Sequence, residues 1–337
     1  MNYSEFLSMA WVYWLLTAAY AVTILSVVTV ILSENRNPVK SLAWVTVLLL
    51  LPAVGLVIYI FFGRSFKNKR MISRRNKRRL KKSESVRGMN SGLGELTADS
   101  RQQIRLAQSV SGAIYCPGNT IEIFTSGREK FDRLADDLRN AREYILLQYY
   151  IFEDDKIGHD IRDILIERAR AGVRVRVIYD HVGSIRVKKR FFRKMKEAGI
   201  MVHPFFRVAF PPFGSRINWR NHRKLVVIDG KTGYIGGMNI ADRYIDGGDF
   251  PLWRDTHLRV TGPAVNSIQY SFAVDWTFMG QPLIEECTAA SVADDGNAAG
   301  VQMITSGPLS QWNNIAYVFL KAINNAKKRV YIQTPYF

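Results

Sequence analysis

Residues 221–230 read Asn221-His222-Arg223-Lys224-Leu225-Val226-Val227-Ile228-Asp229-Gly230, a polar head, four aliphatic residues and a turn signal. An aliphatic, β-branched run closed by Asp-Gly predicts a buried strand ending in a tight hairpin. Thr232 to Ile235 is then the returning strand, and Gly236-Gly237-Met238-Asn239 closes the unit. Side chains alternate along a strand, so His222 and Lys224 are expected on one face, close enough to address one phosphate. With Asn239 they suit substitution at phosphorus. A neutral imidazole attacks, the ammonium and the amide stabilise charge on the non-bridging oxygens, and a carboxylate fixes the histidine tautomer. Gly236 and Gly237 are expected to let the backbone approach the bound anion. No metal or other cofactor is needed, because the protein supplies the cations. Taken alone, His-x-Lys-x-x-x-x-Asp also fits an exposed hairpin with a polar strand end, so the context decides.

Upstream of the motif, Tyr144 to Phe152 is apolar and aromatic enough for a buried strand, and Ile157, Ile161, Ile164, Leu165 and Ala169 recur at helical spacing. Val173 to Tyr179 follows as a second strand ending at Asp180, which makes a βαβ unit with a parallel pair. A helix over 187–198 and a strand over 200–203 extend the same α/β pattern. Asp180 ends a strand where open sheets often bind ligands, although a turn cap explains it better. Phe210-Pro211-Pro212-Phe213-Gly214 reads equally as a lid over the motif or as a rigid surface loop.

The amino-terminal third has a different character. Met9 to Leu32 runs 24 residues without a charge and Ser41 to Phe62 another 22, each long enough to cross a hydrocarbon core of about 30 Å. A polar link at 33–40 makes them a two-helix transmembrane hairpin, and Pro52 is tolerable inside such a span. Glu5 and the lack of an early basic residue argue against a cleaved signal peptide. Eleven basic residues and no acid lie between Arg64 and Lys82, which predicts that both chain ends and the folded part are cytoplasmic in a multi-pass cell-membrane protein. The tract can also hold anionic headgroups. It carries one aromatic, Phe66, so nucleic acid is not expected as a partner. Cys116 and Cys287 are far apart and suggest neither a disulfide framework nor a zinc site.

The chain also resembles itself. Thr125-Ser126-Gly127 recurs as Thr305-Ser306-Gly307, and the step from Ala141 to Phe152 recurs from Ala326 to Phe337. Chance similarity of two βα units would produce such short matches as well. Read as a repeat, the chain divides into a hairpin at 1–63, a basic linker at 64–112 holding one short helix, a first half at 113–293 and the start of a second half at 294–337.

In this context the motif resembles the phospholipase D superfamily, whose members pair two copies of it across two similar halves. Arg36-Asn37-Pro38, the Pro52 to Arg64 segment, Tyr149 to Asp155, Gly236-Gly237-Met238-Asn239, Trp253-Arg254-Asp255-Thr256-His257 and Asp275-Trp276 look like bacterial cardiolipin synthases, over nearly the whole chain. The resemblance implies a phospholipase D-like mixed sheet flanked by helices. It implies phosphatidyl transfer between two phosphatidylglycerol molecules, giving cardiolipin and glycerol, through a phosphohistidine on His222, with a hydrolase that transfers to water or a non-catalytic membrane-anchored partner subunit as the alternatives. Lys224, Asn239 and Asp229 match motif positions, and Asp255 matches the carboxylate that orients the histidine, although a salt bridge to Arg254 would also explain it. Phosphatidylglycerol and anionic membrane lipids are the implied partners. Adding the repeat offset of 185 residues to position 222 puts a second motif histidine near 407. A missing C-terminal half, or alternatively a second chain, is expected to supply it, while His159, His181, His203 and His257 are structural or surface residues.

Overall fold

The computed structural model describes residues 3–33, 38–59, 96–205, 220–248, 253–284, 298–307, 310 and 312–334. The basic tract at 64–82 and the Phe210 to Gly214 loop lie outside the described residues. The chain forms two compact units, Met1–Lys69 with Val208–Trp219, and Arg70–Arg207 with Arg220–Phe337.

The first unit contains α1 (Tyr3–Ser33), α2 (Pro38–Leu50) and α3 (Pro52–Ile58). Trp11–Thr29 within α1 is long and apolar enough to cross a membrane, by length and composition. Thr17, Thr23, Ser26 and Thr29 each return their hydroxyl to the carbonyl four residues earlier, at 2.7–2.9 Å, which satisfies those polar groups inside the helix. The second expected span, 41–62, is described as far as Tyr59 and is not one helix. It breaks at Leu51 (φ −134°, ψ 69°), because Pro52 lacks an N–H and disfavours helical backbone in the residue before it. Leu48 and Tyr59 are buried with Val27, Trp44, Val45 and Leu56, so α2 and α3 pack back along α1.

In the second unit, β1 (Tyr115–Phe124), β2 (Tyr144–Tyr149), β3 (Arg174–Asp180), β4 (Met201–Phe205), β5 (Leu225–Ile228), β6 (Thr232–Gly236), β7 (His257–Thr261) and β8 (Ala299–Gln302) form one mixed sheet in the order β4-β3-β2-β5-β6-β7-β1-β8. β2, β3 and β4 run parallel, as the βαβ reading requires, and the other pairings are antiparallel. The helices are α4 (Ala98–Ser111), α5 (Gly127–Arg139), α6 (Lys156–Arg170), α7 (Lys189–Glu197), the short α8 (Arg243–Asp246), α9 (Val265–Phe278) and α10 (Asn314–Asn325).

Strand periodicity makes this a three-layer structure. Ile145, Leu147 and Tyr149 of β2 pack with Leu134 of α5, Ile161 of α6 and Phe191 of α7 on one face. Tyr144 and Leu146 point the other way, against Ile268, Phe272 and Trp276 of α9. A strand buried on both faces has no polar alternation, which is why 144–152 reads as a continuous apolar run. The repeat predicts one more strand toward Phe337, but residues 326–334 carry none. A strand exists only within a ladder, and no described segment pairs with this one.

Candidate active site

Four strand ends meet at one edge of the sheet. β5 is antiparallel to β2, with Leu225 opposite Gln148, so the residues before β5 lie beside those after β2. β6 ends at Gly236 opposite His257, the first residue of β7. The register therefore gathers Tyr150, His222, Lys224, Asn239 and Asp255 at this edge. His222 and Lys224 precede the ladder instead of lying within it, so strand alternation does not govern them as expected.

They nevertheless meet. Lys224 is buried, donates from Nζ to the His222 backbone carbonyl at 2.9 Å, and lies 3.1 Å and 3.3 Å from Nδ1 and Nε2 of the ring. The His222 ring is exposed and packs on Tyr150 with centroids 4.5 Å apart. Partial desolvation, then the Lys224 charge, lower the His222 pKa against the opposing pull of Asp180 and Asp255. The imidazole is thus neutral at pH 7, with its lone pair facing the Lys224 ammonium. Burial lowers Lys224 to about 8, with Asp255 opposing, so it remains a cation at neutral pH.

Two buried carboxylates hold this segment in place. Asp180, at the end of β3, accepts from the Val182 and Gly183 amides at 2.9 and 3.0 Å and from the Asn221 amide at 3.0 Å. It caps a turn, and in addition it fixes the approach to the motif. Asp275, on α9, accepts from Gln148 at 2.6 Å and from the Asn221 side chain at 2.7 Å, and pairs with the Arg223 guanidinium. Its signal in the sequence is the lone charge in the helix 265–278.

The remaining expected residues divide. Asn239 is buried at this edge, but its Oδ1 accepts from the Ile151 amide at 3.0 Å and its Nδ2 donates to the Tyr244 hydroxyl at 2.7 Å. It ties the segment after β6 to the segment after β2 and to α8. Gly236 and Gly237 make room for protein, not for an anion. A Cβ at Gly237 would lie 2.0 Å from Asp255 Oδ1, and one at Gly236 would lie 2.5 Å from His257 Cα. Their amides donate to the Lys224 and Thr256 carbonyls at 3.3 and 2.8 Å, so neither is left for a phosphate. Asp255 accepts from the Thr256 amide at 2.7 Å. Among the described residues no carboxylate hydrogen-bonds the His222 ring, and Asp255 acts on it through charge.

Asp229 sits at the other end of β5, five residues from Lys224 and roughly 16 Å away at about 3.3 Å per residue. Its carboxylate accepts from the Arg142, Glu143 and Tyr144 amides at 2.8–2.9 Å, and it shares positive φ with Gly230 in the hairpin turn. The structure does not bring it to His222.

Two further titratable groups are buried: Lys130, which the sequence reading did not single out, and His257, which it took as a structural or surface residue. Lys130 on α5 donates to the Tyr149 hydroxyl at 3.0 Å, and desolvation lowers its pKa well below the ordinary value. His257 is fully buried with neither ring nitrogen hydrogen-bonded, and desolvation, then Lys130 and Lys224, hold it neutral. Among the described residues no group of three or more His, Cys, Asp or Glu is placed to hold a metal ion.

Comparison with known proteins agrees with this picture. Residues 134–252 match the family described as cardiolipin synthase, PLD-like domain, and residues 21–64 match the phospholipase D-nuclease N-terminal family. The major cardiolipin synthase ClsA of Bacillus subtilis is 37% identical over 96% of this chain and 69% of its own length. Cardiolipin synthase 2 of Bacillus anthracis is 37% identical over 91% of this chain, which spans 61% of that relative. Among solved structures, the phospholipase D family member Nuc of Salmonella typhimurium overlaps 47% of this chain and 95% of its own, at 16% identity and a TM-score of 0.37, too weak a likeness to support any argument. On the sequence relationships, the chain belongs to the bacterial cardiolipin synthases, phosphatidyltransferases with a phospholipase D-like domain.

Proposed function

We propose that His222 is the nucleophile of a phosphatidyl transfer that makes cardiolipin. The observation that carries the reading is an exposed imidazole kept neutral beside a buried ammonium 3.1 Å away. A ring nitrogen attacks the phosphorus of phosphatidylglycerol, the bond from phosphorus to the glycerol oxygen breaks, and the leaving oxygen takes a proton from a general acid. Lys224 stabilises charge on the phosphoryl oxygens. A hydroxyl of a second phosphatidylglycerol then attacks phosphorus and gives its proton to the same group, now a base. The phosphorus–nitrogen bond breaks, cardiolipin leaves and His222 is free again. The general acid is assigned to a second motif histidine, because members of the phospholipase D superfamily pair two copies of the motif.

The same reading includes a two-pass amino-terminal hairpin with a cytoplasmic catalytic unit. Its support is the charge-free stretch from Met9 to Leu32, the return of α2 and α3 along α1, and the positive flank at 64–82. Incubating the membrane-embedded protein with labelled phosphatidylglycerol tests the reaction. Cardiolipin with glycerol is the expected product pair. Phosphatidic acid as the main product would make the acceptor water and the enzyme a hydrolase.

A further inference from the structure

The basic tract at 64–82 accounts for eleven of the net +18, and residues 186–197 contribute seven basic residues and one acid, leaving the rest of the chain at +1. The second locus is Arg186, Lys188, Lys189 and Arg190 at the start of α7, with Arg193, Lys194 and Lys196 along it, and all are exposed. Arg193 pairs with Glu197 at 3.5 Å. Asp154, held by His159 at 2.6 Å, is the nearby acid that feels Arg190 and Lys188.

The cations at the start of α7 do not serve the helix that carries them, although Lys194 and Lys196 in the last turn do. The first turn of α7 has no acid and no side-chain cap, so its cations oppose the helix dipole. The opposite face is fixed to the core. Phe192 stacks on Tyr179 with centroids 3.8 Å apart, and Phe191 packs edge-on against Phe152. The result is a rigid cationic ridge.

That ridge is continuous with the rim of the site. The turn leading into α7 is tied to Asp180, which also holds Asn221, and Ser184 accepts the Phe152 amide at 3.1 Å. Gly183 lies so close to Tyr150, the ring under His222, that a Cβ would come within 2.2 Å of the Tyr150 carbonyl. At the tip of this turn Ile185 is 67% exposed.

We propose that Ile185 and the cations of 186–196 seat on the surface of an anionic phospholipid bilayer and so bring headgroups to the mouth at His222. Charge complementarity selects a polyanion, and aromatic burial separates a bilayer from a nucleic acid. A strand-binding surface stacks bases on exposed rings, whereas both rings of α7 face the core. The apolar tip at Ile185 suits the headgroup boundary. The proposal rests on the reading that the substrate is a lipid.

The test is amide hydrogen exchange of the full chain in nanodiscs of phosphatidylcholine alone or with added phosphatidylglycerol. Exchange over 185–197 is expected to slow severalfold only in the anionic discs, and the difference to vanish near 1 M salt, where screening acts within about 3 Å. The variant carrying Arg190→Gln, Arg193→Gln, Lys194→Gln and Lys196→Gln should lose the protection while amides of α6 keep theirs. Arg190→Lys with Arg193→Lys should retain it. Equal protection in neutral discs, protection surviving in the glutamine variant, or stronger protection by a single-stranded oligonucleotide would overturn the proposal. Exchange is read without turnover, so a failure here is distinguishable from a failure of the chemistry at His222.

Discussion

The two ends of β5 carry residues of one short motif and do opposite things with charge. At the His222 end, an imidazole and an ammonium sit against each other with lowered pKa values and with no carboxylate bonded to the ring. At the Asp229 end, a carboxylate is saturated by three backbone amides and holds the start of β2 to the hairpin turn. Incomplete satisfaction is costly and leaves groups ready to react, whereas full satisfaction stabilises and leaves nothing to offer a substrate. The motif is thus a reactive end and an anchoring end joined by four buried residues.

Substitutions at the two ends should separate these roles. His222→Ala is expected to lower turnover by at least about 10⁴-fold, as loss of a nucleophile does, with the thermal midpoint nearly unchanged. Asp229→Ala should destabilise by about 3–5 kcal/mol, because three amides lose a charged acceptor, while the folded fraction keeps most of its activity. Paired denaturation and turnover measurements check both, and Asp229→Ala acting on turnover without loss of stability would erase the distinction. Gly237→Ala should cost about 1–3 kcal/mol by driving Asp255 off its position.

The smallest and most diagnostic effect concerns pH. Lys224 holds its proton to about 8 in the folded protein, against 10.5 in the unfolded chain. Between those values the unfolded chain binds more protons, so stability rises with pH across the window and the penalty is fully present below it. Lys224→Met should therefore stabilise the protein by about 1–3 kcal/mol at pH 7 while lowering activity. In the unsubstituted enzyme the rate should fall as pH rises past about 8. The acid limb should lie below the ordinary histidine range, because burial keeps His222 neutral.

Periodicity made the architecture legible. The βαβ unit and the β5–β6 hairpin follow from runs of apolar residues and an Asp-Gly turn, which are local signals. His222 and Lys224 were expected to meet through strand alternation, but they meet ahead of the strand, where Lys224 Nζ returns to the His222 ring and carbonyl. Partners far apart in the chain were not legible. Asp229 meets residues 85 to 87 positions away, and Asp275 meets Asn221 from 54 positions away. No short pattern encodes such contacts. Gly236 and Gly237 were read as room for an anion, because a glycine signals close approach without naming what approaches. Lys130 did leave a trace, since it lies beside Phe131 and four residues before Leu134 on the buried stripe of α5. The break at Leu51 was foreshadowed by Pro52, whose effect depends on whether the lost hydrogen bond is replaced.

Denaturant quenching of the enzyme at alkaline pH, where a phosphorus–nitrogen bond survives, during turnover of phosphorus-labelled phosphatidylglycerol, followed by mapping of the modified peptide, tests the central assignment. A phosphoramidate on the imidazole of His222, absent from His222→Ala, is the predicted result. An adduct on another residue, or full turnover by His222→Ala, would contradict it.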